Sequence, residues 1–90
     1  AEPVDVTLIA ATDPTATPPA FQVTAATVTT PAGAWSNGSW LTTWDTSGRL
    51  KARTPTIGAA GTLVVVEGSE YTLWVKWGAV VKRAGTITVL

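Results

Sequence analysis

The sequence predicts an all-β fold: an immunoglobulin-like β-sandwich of about seven short antiparallel strands. Three observations carry this expectation. Turn signals built from Gly, Pro, Asn and Asp recur at short intervals, with period-two stretches and no helical period between them. Charged residues make up only 13% of the chain, about half the usual share of ~25%. Thr supplies seventeen positions instead, and a sparsely charged chain rich in Thr and Val favours pleated structure over a solvated helix. The stretch 62–77, TLVVVEGSEYTLWVKW, reads as two strands joined by a Gly-containing turn. Its Tyr71 opens a strand directly after that turn, as the tyrosine corner of immunoglobulin-like sandwiches requires. Ninety residues make one domain, residues 1–90. A chain of that size buries roughly 60–65% of its unfolded surface, enough for one modest core.

The elements follow in order. Residues 1–11 give a first strand with Val4, Val6, Leu8 and Ala10 on one face; Pro3 donates no ladder hydrogen bond and suits the start of a strand or an edge. Residues 12–20 hold three prolines, Pro14, Pro18 and Pro19, and read as a stiff surface loop of polyproline character. Residues 21–28 alternate Phe21, Val23 and Ala25 against Gln22 and Thr24. Asn37-Gly38 is the strongest short hairpin signal in the chain, because both residues tolerate the positive φ of a type I′ turn. A two-residue loop there pairs Ser36 with Ser39, sets Trp35 opposite Trp40, and carries Thr42 and Trp44 onto the face of Trp40. Leu50 and Ala52 then alternate with Arg49, Lys51 and Arg53. Residues 54–61 read as a loop.

In the 62–77 stretch, Leu63, Val65, Tyr71, Leu73 and Val75 are the expected core, with Trp77 beside them and Trp74 on the other side of its strand. Gly78-Ala79 is a minimal turn. Residues 80–90 form the last strand, with a bulge or close approach at Gly85.

The composition is more informative about chemistry that is missing. Without His there is no imidazole base, no His-ligated metal and no conventional triad. Without Cys there is no disulfide, thiolate nucleophile or Cys-ligated metal. The serines sit in or beside turns, and none lies in a nucleophile-elbow context. Glu67 and Glu70 have a spacing that a glycosidase pair could use, but they read as solvated turn acids. The glycines at 58 and 61 lack the Lys-Ser/Thr continuation of a phosphate loop. No EF-hand spacing occurs. The expectation is a non-enzyme with no cofactor, no metal and no catalytic residues. Net charge is zero with six basic residues, too few for a nucleic-acid footprint. No apolar run reaches transmembrane length, so no membrane partner is expected. No signal-peptide pattern opens the sequence, and the lack of disulfides points to cytosolic synthesis rather than secretion. Asn37-Gly38-Ser39 matches a glycosylation triplet but reads as the hairpin turn. The cations at 49–53 read as a solvated strand face, or as a patch for an acidic partner.

Five tryptophans exceed what so small a core can hold. Trp35, Trp40 and Trp44 have three readings: packing on a sheet face, a protein–protein interface, where Trp is enriched at hot spots, or a sugar-stacking platform. The candidate interface is Trp35, Asn37, Trp40 and Trp44, with Pro18 and Pro19 of the stiff loop.

One resemblance adds to this. Ala52-Arg53-Thr54-Pro55-Thr56-Ile57-Gly58, then Gly61-Thr62-Leu63, then Gly68 with Tyr71-Thr72-Leu73-Trp74-Val75-Lys76, and Ala84-Gly85-Thr86-Ile87 within Val81–Val89, together resemble small immunoglobulin-like structural proteins of tailed phages that infect actinobacteria. An ARTPTIG-like loop, a Y-x-VWVK/R-like strand and an AGxIxV-like ending recur in that group. The resemblance covers residues 51–90 and is weak before them. Where the family carries a longer polar, Pro-containing turn before its last strand, this chain has Trp77-Gly78-Ala79.

The resemblance implies a virion structural protein assembled in the host cytoplasm. The expected role is capsid decoration (a minor capsid protein) on the assembled shell, or alternatively a tail or head–tail accessory. The expected partners are the major capsid protein or another virion protein, with a homo-oligomer on the shell. The other reading of the residues is a carbohydrate-binding or adhesin module with exposed Trp. A domain cut from a larger secreted enzyme is a third.

Overall fold

Period-two alternation becomes two facing sheets in the computed structural model, which describes residues 1–90. The strands are β1 (Asp5–Ile9), β2 (Ala20–Ala25), β3 (Ser36–Asn37), β4 (Ser39–Trp40), β5 (Arg49–Arg53), β6 (Ile57–Gly58), β7 (Leu63–Val64), β8 (Glu70–Trp77) and β9 (Val80–Thr88). One sheet runs β1-β5-β4 and the other β3-β2-β8-β9, both antiparallel. The smallest dimension of the molecule is 20 Å, the thickness of two sheets packed about 10 Å apart with their outer side chains. The expected all-β sandwich is therefore the observed fold. Its pairing follows the immunoglobulin order B-E-D against C′-C-F-G, and no strand of the chain stands where strand A would pair with β1.

The core lies between the sheets. Leu8, Phe21, Ala52, Leu63, Leu73 and Val75 form one buried cluster, with Val6, Val23, Trp40, Ile57, Trp77, Ala84 and Ile87 packed around it. Those from the two large sheets lie on the inward parity of their strands, with the bulge at Ala84 resetting the alternation on β9, and Ile57 and Leu63 come from the β6–β7 connection. Phe21 and Val75 are completely inaccessible, and burying a side chain of that size stabilises by about 1.5–3 kcal/mol. Of the expected core, Leu63, Val65, Leu73 and Val75 are buried, and Tyr71 is half-buried. The Tyr71 hydroxyl accepts the backbone N–H of Val66 at 3.0 Å, which closes the tyrosine corner.

Several boundaries differ from the sequence expectation. Residues 63–66 do not pair with β8. Only Leu63 and Val64 are strand, and they run parallel to β6 inside the connection between the sheets. Val65 N–H bonds to the Gly58 carbonyl and Leu63 N–H to the Thr56 carbonyl, so the presumed loop 54–61 supplies the partner. The last strand bulges where expected: the register shifts opposite Leu73 and Trp74, leaving Ala84 without a partner.

The outer face of the four-stranded sheet is also buried at its centre. Gln22, Thr72 and Trp74 are each at most 5% exposed. Residues 26–35 fold back across this face. The Gln22 amide clasps Gly33 from both sides, accepting its N–H at 3.1 Å and donating to its carbonyl at 3.3 Å. Trp74 thus points away from the core, as its parity dictates, yet is covered.

Candidate functional site

Gly38 is the pivot of the region that holds the candidate residues, and it does not make a hairpin. Its φ is not positive. β3 pairs with β2 in one sheet, while β4 pairs with β5 in the other. The chain passes straight from sheet to sheet at Gly38, as strands do at sandwich corners. The reason is steric. A Cβ on Gly38 would meet the Arg53 carbonyl oxygen and lie 2.7 Å from Phe21 Cε2, so only glycine lets the segment cross between Arg53 and Phe21. Trp35 and Trp40 therefore face different partners, and the cross-strand pair expected of them does not form. Nor do Trp35, Trp40 and Trp44 make a shared flat platform.

The crossing instead gathers residues far apart in sequence. Gly38 N–H donates to the Pro19 carbonyl at 2.8 Å, and the Trp40 indole N–H donates to the Thr17 carbonyl at 2.8 Å. Trp44 donates to the Ala10 carbonyl at 3.0 Å. Two indoles thus pin the Pro-rich loop at both ends, with Trp40 resting on the core. Of the six candidate interface residues, this brings Pro18, Pro19, Asn37 and Trp40 together. Pro18 and Asn37 are exposed and Trp40 is half-buried. Pro19 is fully buried, which removes it as a contact residue: packing at the crossing consumes its surface. Trp44 sits at the far end of the loop.

Trp35 belongs to the outer face of the other sheet. Continuing the β2–β3 register puts it beside Gln22 and in the same row as Trp74. Lys76 Nζ lies 5.3 Å from the Trp35 ring centre, and the Arg83 guanidinium 5.2 Å from that of Trp74. Such cation–π contacts are worth about 0.5–1 kcal/mol at exposed sites. The sequence reading assigned no role to Lys76 or Arg83. Their parity on the paired strands was the available signal, but the partner rings became identifiable only with the register.

Two open concavities flank these features. One, about 360 Å³, lies between residues 11–17 and the β8–β9 turn, with Trp77 and Asp13 in its lining. The other, about 550 Å³, lies on the outer face of β5, with Thr7, Thr42, Asp45, Arg49 and Lys51 among its residues. The carboxylates are locally satisfied. Asp13 accepts from Thr15 Oγ1 and N–H and Asp45 from Ser47 Oγ and N–H; these hydrogen bonds hold both below the usual carboxylate range. Arg53 forks onto Asp5 at 2.8 and 3.2 Å. That hydrogen-bonded pairing lowers Asp5 and raises Arg53. Of the three cations on β5, Arg53 is therefore already paired within the chain, and Arg49 and Lys51 face solvent. No three Asp or Glu side chains converge. Glu70 accepts from Thr88 Oγ1 at 3.3 Å.

Comparison with protein-family models, with curated proteins and with solved structures finds no match to this chain.

Proposed function

We propose that this protein is a non-enzymatic structural component of a virion, most simply a decoration protein seated on the assembled capsid shell. The observation that carries the reading is the phage-like residue pattern of 51–90. In the fold that pattern supplies the end of β5, the tyrosine corner and the β8–β9 hairpin. The clamped Pro-rich loop supports the reading further. A loop held by two indole hydrogen bonds presents Pro18, with Asn37 of β3 beside it, with little ordering entropy left to lose on contact.

The test is co-sedimentation of the purified protein with assembled shells of its virion, with unassembled major capsid protein and with soluble polysaccharide. Retention by shells alone is the expected outcome. Binding to polysaccharide with quenching of Trp fluorescence, and none to shells or tails, would reject it for a carbohydrate module using Trp77 and its cleft. Retention by tails alone would move the protein to an accessory role there. Trp35→Ala refines the contact surface. It is expected to cost about 1–3 kcal/mol of stability, the cation–π contact together with the buried part of the half-buried ring, while weakening shell binding.

A further inference from the structure

The outer face of the four-stranded sheet is covered at its centre and open at the end nearest the β8–β9 turn. Partners in an antiparallel ladder share a face, so the register maps that open end. One row places Lys76 beside Val81, and the next places Trp74 beside Arg83. Trp35 extends the second row on the far side of Gln22. Val81 and Arg83 are exposed, and Trp35 and Lys76 are half-buried. Four strands at about 4.8 Å spacing make this surface roughly 15 Å wide.

Both cations on it are held in place. Lys76 Nζ lies 5.3 Å from the Trp35 ring centre, and the Arg83 guanidinium 5.2 Å from that of Trp74. A ring face attracts a cation through its quadrupole but brings no net charge to it. The ion pair of the chain, Arg53 with Asp5, belongs to the other sheet. The carboxylate that shares this face is Glu70. It stands two rows beyond Arg83 and accepts from Thr88 Oγ1. Lys76 and Arg83 therefore carry two positive charges that no carboxylate of the chain answers.

The cations of β5 are in a different position. Asp5 is lowered first by its hydrogen bond from Arg53 and further by the charge of Lys51. Asp45 shares the concavity of Arg49 and Lys51. Three cations there are met by two carboxylates.

We propose that the open end of the outer sheet face is a docking surface for an acidic patch of a partner protein. Lys76 and Arg83 meet its carboxylates, and Trp35 and Val81 pack against it. Trp and Arg are the residue types that carry most binding energy when an interface desolvates them. Arg83 has the planar fork that pairs a carboxylate bidentately. Each cation is positioned by a ring before contact, so less side-chain freedom is lost on binding. A nucleic-acid strand fits less well. Two cations neutralise few phosphates, and Trp74 is buried rather than presented for base stacking. The inference deepens the virion reading and rests on it for one point, that the acidic partner is the shell.

The experiment uses the full chain in two arms. In the first, poly-L-glutamate is titrated into isotope-labelled protein at low salt. Shifts are expected at the Trp35 indole N–H and at the amides of Lys76, Val81 and Arg83. They should vanish at about 1 M salt, where the Debye length is ~3 Å. Shifts centred on Arg49 and Lys51, or no shifts, overturn the proposal. An oligodeoxythymidylate that shifts the same signals at lower concentration overturns it in favour of a nucleic-acid surface.

In the second arm, Lys76→Glu/Arg83→Glu is compared with Arg49→Glu/Lys51→Glu for retention by assembled shells. Both pairs change the net charge equally, so a difference between them reports position. The first pair is expected to weaken retention about tenfold, through two lost ion pairs and the repulsion that replaces them, and the second less than about twofold. Urea unfolding shows whether each variant is folded. Lys76→Gln/Arg83→Gln removes the same charges more gently, with about threefold weakening expected, and carries the comparison if the reversed pair unfolds. Equal weakening by the two reversed pairs, or none from the first, overturns the proposal and leaves the virion reading standing. A parent protein that shells do not retain overturns the virion reading instead, and the poly-L-glutamate arm then decides the docking surface by itself.

Discussion

Replacing Gly38 tests the path of the chain between the sheets. The obstacle to a side chain there is made of backbone as well as ring: the Arg53 carbonyl on β5 and Phe21 Cε2, at 2.7 Å, on β2. Phe21 is completely buried and Arg53 is held by two ladders, so neither can retreat without moving a central strand. Overpacking of this kind costs about 1–3 kcal/mol and sometimes more. Gly→Ala elsewhere returns about 0.4–1 kcal/mol through the unfolded chain, which offsets part of the loss. The expected destabilisation of Gly38→Ala is therefore about 2 kcal/mol, and Gly38→Asn should cost more because it is larger.

A domain of this length is stable by roughly 5–13 kcal/mol at the usual value per residue, so both variants should still fold. Urea unfolding followed by Trp fluorescence reads the change. At an m-value of ~1 kcal/mol/M, Gly38→Ala should lower the midpoint by roughly 2 M. The decisive comparison is with Asn. In a type I′ hairpin a residue with positive φ is needed, and Asn supplies it nearly as well as Gly. A Gly38→Asn variant as stable as the parent would refute the crossing and restore the hairpin.

Tyr71→Phe removes the acceptor of the Val66 N–H and should cost about 0.5–1.5 kcal/mol, measured by the same unfolding curves. Gln22→Leu keeps the buried volume but removes both hydrogen bonds to Gly33; a loss of about 0.5–1.5 kcal/mol per bond is expected, with faster amide exchange across residues 26–35. Trp44→Phe loses the hydrogen bond to the Ala10 carbonyl and should speed proteolysis of residues 11–19 more than it lowers the global midpoint. The pH dependence follows from Asp5, Asp13 and Asp45, whose folded pKa values lie below the ordinary 3.8. The unfolded chain binds their protons first as pH falls, so the stability these carboxylates contribute is full above about pH 5, declines below pH 4 and is lost as pH falls through their lower folded values. With no His in the chain, the melting temperature should be flat from pH 5 to 8. Asp5→Asn should shrink the acid-side decline.

The sequence by itself determined the class of fold and much of the core. Alternation is a local property, because successive side chains of a strand must point to opposite faces whatever lies beyond. Leu63, Leu73, Val75 and the tyrosine corner were legible for that reason, as were the turns at Gly68 and Gly78 and the bulge before Gly85. What local chemistry could not decide was which strand each segment pairs with. Asn37-Gly38 carries the strongest hairpin signal in the chain, yet the contact that governs Gly38 is with Arg53 and Phe21, fifteen and seventeen residues away. The tertiary structure therefore decided that the tryptophans are clamps and cation-stacked faces rather than a shared platform. It also buried Pro19 and left no residue of β9 buried. Pairing is a long-range choice, made by how whole sheets fill space, and no residue encodes it alone.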